Sequence, residues 1–179
     1  MAIAGFTQAL VYLRDPKINK DDADLPFNIA GALNGLADAE RLSGSLQKAA
    51  EEHEKAGEHY EKAGKHYTEA LSLATAINYP DGVAAYTGNL AALALDLGQP
   101  ERAEVMAREA LHLSENVWRM ELIASNCHRL AKALLRLGRI AEARSHARRA
   151  VEIFERLKSP YLAYAQATLA ECEGGAPAA

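Results

Sequence analysis

The chain has 179 residues, 49% of them hydrophobic and 6% aromatic, with a formal net charge of −4. This length suffices for one domain with a sizeable core, and a composition rich in Ala and straight-chain residues favours helices. The negative net charge excludes attraction of nucleic acid by bulk charge, and no apolar run approaches the roughly 18 residues of a membrane span. Two cysteines, Cys127 and Cys172, form no disulfide framework, which predicts reduced thiols and a cytoplasmic location.

The first segment with a helical pattern covers residues 6–13, and a polar linker occupies residues 15–24. We therefore assign residues 1–24 to a partial repeat helix and its linker. Residues 25–173 are assigned to a helical repeat array, and residues 174–179 to a disordered tail.

A seven-residue internal repeat fills the segment from residue 45 to residue 78. Gly44 corresponds to the turn glycine Gly98, but 54 residues separate them, two heptads more than the period of 40 found further along the chain. The pattern favours one long helix over residues 45–78, although Gly57 and Gly64 each cost about 1 kcal/mol relative to Ala. A break near Gly57 that creates an additional short hairpin is the alternative.

The rest of the chain repeats every 40 residues. Gly98 and Gly138 are predicted turn residues, since Gly suits the left-handed position after a helix. The pattern predicts helices over residues 81–97, 101–117, 119–137, 140–157 and 161–173. Small side chains recur where two helices would cross closely, at Ala103, Ala110, Ala143 and Ala150.

These residues resemble the tetratricopeptide repeat. The matching positions are Leu90-Ala91, Gly98, Ala103, Ala107 and Ala110, followed by Leu130-Ala131, Gly138, Ala143, Ala147 and Ala150. The resemblance covers residues 25–173, and the 40-residue period is similar to kinesin light chains, Pins-type adaptors and bacterial signal-transduction ATPase regulators. It implies an all-α, right-handed superhelical solenoid of antiparallel helix pairs.

The resemblance also implies a concave groove that binds a protein or peptide. By motif, the groove positions are Asn34, Asp38, Arg41, Asn89, Ala92, Asp96, Ser125, His128, Arg129, Lys132, Arg136, Tyr164 and Thr168. Asn89 and Arg129 match an Asn and a basic residue of carboxylate-binding members, whereas other positions of that clamp are replaced.

The residues themselves indicate an acidic ligand. His128, Lys132 and Arg136 share one helix face, and residues 129–158 carry nine basic against three acidic side chains. Such a stripe favours an acidic peptide or a carboxylate, with an ordinary solvated helix face as the alternative. We expect the groove residues to contribute more binding energy than the outer arginines Arg144, Arg148 and Arg149.

Motifs for catalysis are absent from the sequence: there is no phosphate-binding glycine loop and no HExxH pair. His59 and His66 are seven residues apart, roughly 10 Å along a helix, too far to share one ion. We therefore expect no enzyme activity, cofactor or metal. Trp118 is expected to pack between repeats rather than to act as a binding hot spot.

The predicted function is a protein- or peptide-binding scaffold or regulatory module. One alternative is a ligand or signal-peptide sensor domain of a larger regulator. The other is a structural repeat protein that self-associates through its end repeats, since solenoids need polar caps.

Overall fold

The computed structural model describes residues 2–15, 24–49 and 53–174, and these residues form eight α-helices without a β-strand. The helices are α1 Ala2–Leu13, α2 Leu25–Ala49, α3 His53–Ala76, α4 Pro80–Asp96, α5 Pro100–Asn116, α6 Met120–Arg136, α7 Ile140–Arg156 and α8 Leu162–Cys172. The all-α prediction is confirmed. Within the described ranges, no helix is both long and apolar enough to cross a lipid bilayer.

Left-handed residues end the helices at regular intervals from α3 to α7. They are Asn78, Gly98, Trp118, Gly138 and Lys158, each 20 residues after the one before. Gly98 and Gly138 have φ angles of 71° and 74°, as predicted for turn glycines. Because the turns are evenly spaced, α4, α5, α6 and α7 all have 17 residues.

Alanine allows neighbouring helices to approach closely. Ala103, Ala110, Ala143 and Ala150 have no exposed surface, which confirms the predicted repeat register. A larger side chain at such a crossing would force the helix axes apart.

Consecutive helices pack into antiparallel pairs, and the pairs stack into two layers. In the inner layer α2 contacts α4, α4 contacts α6, and α6 contacts α8. In the described part of the chain, the backbones of α3, α5 and α7 do not approach one another. The array therefore curves, with α2, α4, α6 and α8 lining its concave face.

The prediction of one long helix over residues 45–78 is wrong. Helix α2 ends at Ala49, α3 begins at His53, and the two pack against each other. The additional residues are divided between them, since α2 has 25 residues and α3 has 24, against 17 in each of α4 to α7. The alternative break near Gly57 is also wrong, because Gly57 lies inside α3.

Gly44 does not end a helix either. It lies inside α2, where a Cβ atom would come within 2.8 Å of the Tyr60 ring. The glycine therefore serves a close crossing of α2 and α3 instead of a turn. Residues 16–23 and 175–179 lie outside the described residues, so most of the predicted linker and tail stay predictions.

Replacing glycine with alanine at two positions of the α2–α3 pair should change the stability in opposite directions. Gly44→Ala should lower the free energy of unfolding by about 1–3 kcal/mol, because the ring of Tyr60 is buried and has little room to move. Gly57→Ala should raise it by up to about 1 kcal/mol, because its Cβ would meet nothing within 4 Å and Ala favours helix. Urea unfolding measures both, and effects of the same sign would contradict this packing.

Candidate functional site

All groove residues predicted from the sequence belong to the four inner helices. Asn34 and Asp38 lie on α2, Asn89 and Asp96 on α4, Ser125, His128, Arg129, Lys132 and Arg136 on α6, and Tyr164 and Thr168 on α8. Some of these residues are joined by hydrogen bonds into one continuous network, and others make separate contacts.

Asn89 links three successive inner helices. Its Nδ2 donates to Asn34 Oδ1 at 2.8 Å, and its Oδ1 accepts from Arg129 Nη2 at 2.7 Å. Both ends of the amide are used, so the orientation of this side chain is determined by its partners.

This set extends outward at both ends. On one side Asn34 donates to Asp38 at 3.3 Å, and the hydroxyl of Tyr67 on α3 donates to Asp38 at 2.5 Å. On the other side Arg129 Nη1 donates to Asn126 Oδ1 at 2.9 Å, and Asn126 Nδ2 donates to Ser114 Oγ on α5 at 2.8 Å. We call this continuous set, from Tyr67 to Ser114, the polar chain.

A glycine makes room for the polar chain between α4 and α6. A Cβ on Gly88 would lie 2.2 Å from Asn126 Oδ1 and 2.8 Å from Arg129 Nη1. No side-chain atom fits at that distance. Any residue larger than glycine at position 88 would therefore displace the side chains of the polar chain.

Other groove residues make separate contacts. Arg41 on α2 forms an ion pair with Asp96 on α4 at 2.7 Å. Arg136 Nη1 donates to the backbone carbonyl of Leu95, again connecting neighbouring inner helices. The inner helices are therefore joined by polar contacts along their length as well as by apolar packing.

Three cations of α6 have no carboxylate within ion-pair distance among the described residues: Arg129, Lys132 and Arg136. The pKa of Arg129 is lowered to about 10, first because the guanidinium is buried and then because Arg41 is near. Burial, and then Arg136, also lowers the pKa of Lys132. Arg129 stays charged at neutral pH, so the concave face holds partly desolvated positive charge that an anion would stabilise.

His128 does not belong to this group of cations. Burial, followed by the charges of Lys132 and Arg129, lowers its pKa to about 4, so the imidazole is neutral at pH 7. Its Nε2 lies 3.0 Å from Thr168 Oγ1, which joins α6 to α8. The predicted basic stripe therefore consists of Arg129, Lys132 and Arg136 alone.

The remaining predicted residues are not brought into the polar chain. Ser125 is half-buried, and Tyr164 is 66% exposed on α8. The expected packing of Trp118 between repeats is wrong, because this side chain is 82% exposed on the turn between α5 and α6.

A second histidine, His59, also makes a contact between helices. His59 Nδ1 pairs with the buried carboxylate of Glu40, which connects α3 to α2. Within the described ranges, no three His, Cys, Asp or Glu side chains are grouped so that they could hold a metal ion.

Sequence reasoning missed three members of the polar chain: Tyr67, Asn126 and Ser114. Asn126 and Ser114 are fully buried, and they are 12 residues apart, a spacing unrelated to the repeat. Tyr67 is a member of the heptad pattern, which gives no sign of its bond to Asp38. A buried Asn needs partners, and that rule alone could have drawn attention to Asn126.

Removing the hydroxyl of Ser114 should destabilise the protein. Ser114→Ala leaves the buried Asn126 Nδ2 without its partner, which should lower the free energy of unfolding by about 1–3 kcal/mol. Ser145→Ala, at an exposed position of α7, is the matched control and should change it by less than about 0.5 kcal/mol. Chemical denaturation of both variants tests this, and equal stabilities would mean that the polar chain does not constrain the fold.

His128 should make stability depend on pH. Its pKa of about 4 in the folded protein lies below its ordinary value of 6.5, so the unfolded chain binds more protons between these values. The stability that the buried neutral imidazole contributes is fully present above pH 6.5 and is lost as the pH falls towards 4. Relative to His128→Gln, the wild type should lose roughly 1–3 kcal/mol over this window. The assignment would be refuted if the free energy of unfolding fell by the same amount in both proteins between pH 7 and pH 4.

Comparison with known proteins identifies the repeat. Residues 83–117 and 124–157 match the family described as tetratricopeptide repeat. Curated protein sequences give no match.

Solved structures share this architecture at low sequence identity. BtubC (BKLC) from P. vanneervenii has a TM-score of 0.58 and 19% identity, with 97% of this chain and 83% of that chain covered. The apo form of RapI has a TM-score of 0.52 and 17% identity, covering 97% of this chain and 49% of RapI, so the present chain spans about half of RapI. A putative kinesin light chain from Podosopora anserina with nearly identical TPR-like repeats gives 0.51 and 13%, covering 96% and 87%. At these identities the likeness is one of fold.

Proposed function

Because residues 83–117 and 124–157 match the tetratricopeptide repeat, we propose that this chain is a non-catalytic protein-interaction module whose concave face binds an acidic peptide segment of a partner protein. On this proposal it works in the cytoplasm as a scaffold or regulatory module.

The main support is the set of three cations on α6. On the outer face, four arginines pair with glutamates at distances between 2.5 and 3.4 Å, namely Arg108, Arg139, Arg148 and Arg149, while Arg144 and Arg156 donate to backbone carbonyls. On the concave face, none of the three α6 cations has a carboxylate within ion-pair distance among the described residues: Arg129 is held by amide oxygens and Arg136 by a backbone carbonyl. An incoming carboxylate would supply the missing charge.

Arg41 adds a second observation. One of its Nη atoms pairs with Asp96, but its Nε is buried and has no hydrogen-bond partner in the described part of the chain. A buried donor without a partner is costly, and it is satisfied when a ligand brings an acceptor. Arginine donates to carboxylates through paired hydrogen bonds, so an Asp or Glu side chain or a C-terminal carboxylate is the group we expect.

Reversing two charges on the concave face tests the proposal. Lys132→Glu with Arg136→Glu should weaken binding of a short, dye-labelled peptide rich in Asp and Glu by about tenfold or more, since charged pairs shielded from water contribute strongly to affinity. Raising the salt concentration should weaken the wild-type interaction, because the contacts are ionic. Fluorescence anisotropy measures the affinity, and a thermal scan confirms that the variant is folded.

The matched control changes the net charge equally on the opposite face. Lys62→Glu with Lys65→Glu alters two exposed lysines of α3 and should leave the affinity within a small factor of the wild type. Equal affinities for the wild type and the Lys132/Arg136 variant would end the proposal. Equal losses in both variants would show attraction by overall charge instead of a site.

Self-association is the second candidate, and one surface favours it. Helix α1 contains no charged residue, and it exposes Val11 by 62% and Tyr12 by 54%. If this function is correct, light scattering should find oligomers that Val11→Glu dissociates, whereas the Lys132/Arg136 variant stays assembled.

A further inference from the structure

Trp118 stands on the turn between α5 and α6 in a conformation that does not favour its side chain. It is the one tryptophan of the chain, its φ angle is 55°, and its side chain is 82% exposed. Left-handed backbone is unfavourable for bulky residues, and an exposed indole gains little from burial. Asn78, Gly98 and Gly138, at three equivalent turns, suit this conformation better, whereas Lys158 at the fourth is another long residue in left-handed backbone. Neither backbone preference nor packing therefore accounts for a tryptophan here.

A cleft of about 590 Å³ opens beside this side chain, between the end of α5, the start of α6 and the last turns of α7. Ile123 and Ile153 are almost completely buried in its wall, and Met120 is 37% exposed at its edge. The cleft is therefore apolar next to Trp118, and it is large enough for one bulky side chain.

The cleft continues into a second hollow of about 480 Å³ along the outer face of α7, since Arg149 and Glu152 line both. Arg144 and Arg148 line the second hollow, and Arg156 lines the first. We call the two hollows together the α7 trough. Its lining contains four arginines against two glutamates, Glu115 and Glu152, so it is basic along α7 and apolar at the Trp118 end.

Not all of this charge is neutralised within the protein. Arg149 pairs with Glu115 at 2.6 Å, and Arg148 pairs with Glu173 at 3.0 Å. Among the described residues, Arg144 and Arg156 donate only to backbone carbonyls, those of Cys172 and Glu152. Positive charge beside an apolar cleft is complementary to a segment that combines acidic residues with a large apolar side chain.

We propose that the α7 trough is a second docking surface, which takes an acidic peptide segment whose large apolar side chain enters the cleft against Trp118. Exposed tryptophans that become buried on association are frequent anchors of protein interfaces. This surface lies on the outer face of the array, and the proposal does not depend on peptide binding by the concave groove.

The single tryptophan provides a direct readout. The probe is a synthetic peptide with a Leu-Phe pair flanked by Asp and Glu residues, and without Trp or Tyr. Its titration into the full chain should shift the tryptophan emission to shorter wavelength and protect it from acrylamide, because the indole leaves water. A matched peptide with Ser-Ser in place of Leu-Phe should cause neither effect. Unchanged emission with the Leu-Phe peptide at concentrations up to about 1 mM would overturn the proposal.

Trp118→Gly separates a binding role from a structural one. Glycine suits the left-handed turn, so the thermal midpoint should be unchanged or raised, whereas affinity for a dye-labelled form of the peptide should fall by about tenfold or more. Arg156→Glu should weaken binding in the same direction, and Lys62→Glu with Lys65→Glu should not.

The other outcomes distinguish this surface from the concave groove. A lower thermal midpoint with unchanged affinity in Trp118→Gly would show that Trp118 is structural and would overturn the proposal. Loss of binding in the Lys132/Arg136 variant, with full binding in Trp118→Gly, would place the peptide in the groove; it would overturn the second surface and leave the proposed function standing.

Discussion

Equal helix length is the constraint on which the concave face depends. A left-handed residue at every twentieth position, from Asn78 to Lys158, gives α4, α5, α6 and α7 the same 17 residues. Inner side chains 40 residues apart therefore meet, as Asn89 meets Arg129 and His128 meets Thr168. One inserted residue in any of these helices would rotate the following side chains by about 100° and separate such pairs.

The polar chain includes one α6 cation, Arg129, and its hydrogen bonds have a different energetic role from the charges of the three α6 cations. In the polar chain, donors and acceptors satisfy one another, so it aligns the inner helices without leaving a buried polar group unpaired. The charges of the α6 cations are not neutralised by an ion pair in the described part of the chain, since the partners of Arg129 and Arg136 are neutral oxygens. If the proposed peptide binds here, the concave face is already ordered by these hydrogen bonds, so little of the binding free energy is lost in organising it.

The helix bounds of the later repeats were predicted more accurately from the sequence than those of the first helix pair, α2 and α3. The bounds of the helices from α4 to α7 were predicted to within a few residues, because Gly98 and Gly138 mark turns in a strict 40-residue period. Asn89 and Arg129 were predicted as groove positions from the family resemblance, but the hydrogen bond between them was not predicted. The first pair was misread because residues 50–52, Ala-Glu-Glu, contain neither Gly nor Pro, while Gly44 occupies a helix crossing.

Trp118 and the buried end of the polar chain could not be predicted, for physical reasons. A large aromatic side chain favours burial, so its exposure on a left-handed turn contradicts the expectation from hydrophobicity. The bond between Asn126 and Ser114 joins α6 to α5 across a spacing that follows from how the two helices are packed and not from the repeat.

The ion pairs between α5 and α7 imply that the array does not bend equally in all directions. Buried contacts and hydrogen bonds hold the inner helices together, whereas Arg139 and Arg108 span the outer gap to Glu104 and Glu142 in solvent. Exposed ion pairs contribute little energy and are screened by salt. Bending that widens the gap between α5 and α7 therefore meets weaker resistance than bending that separates the inner helices. This resistance should fall further as ionic strength rises, because salt screens the ion pairs across the gap.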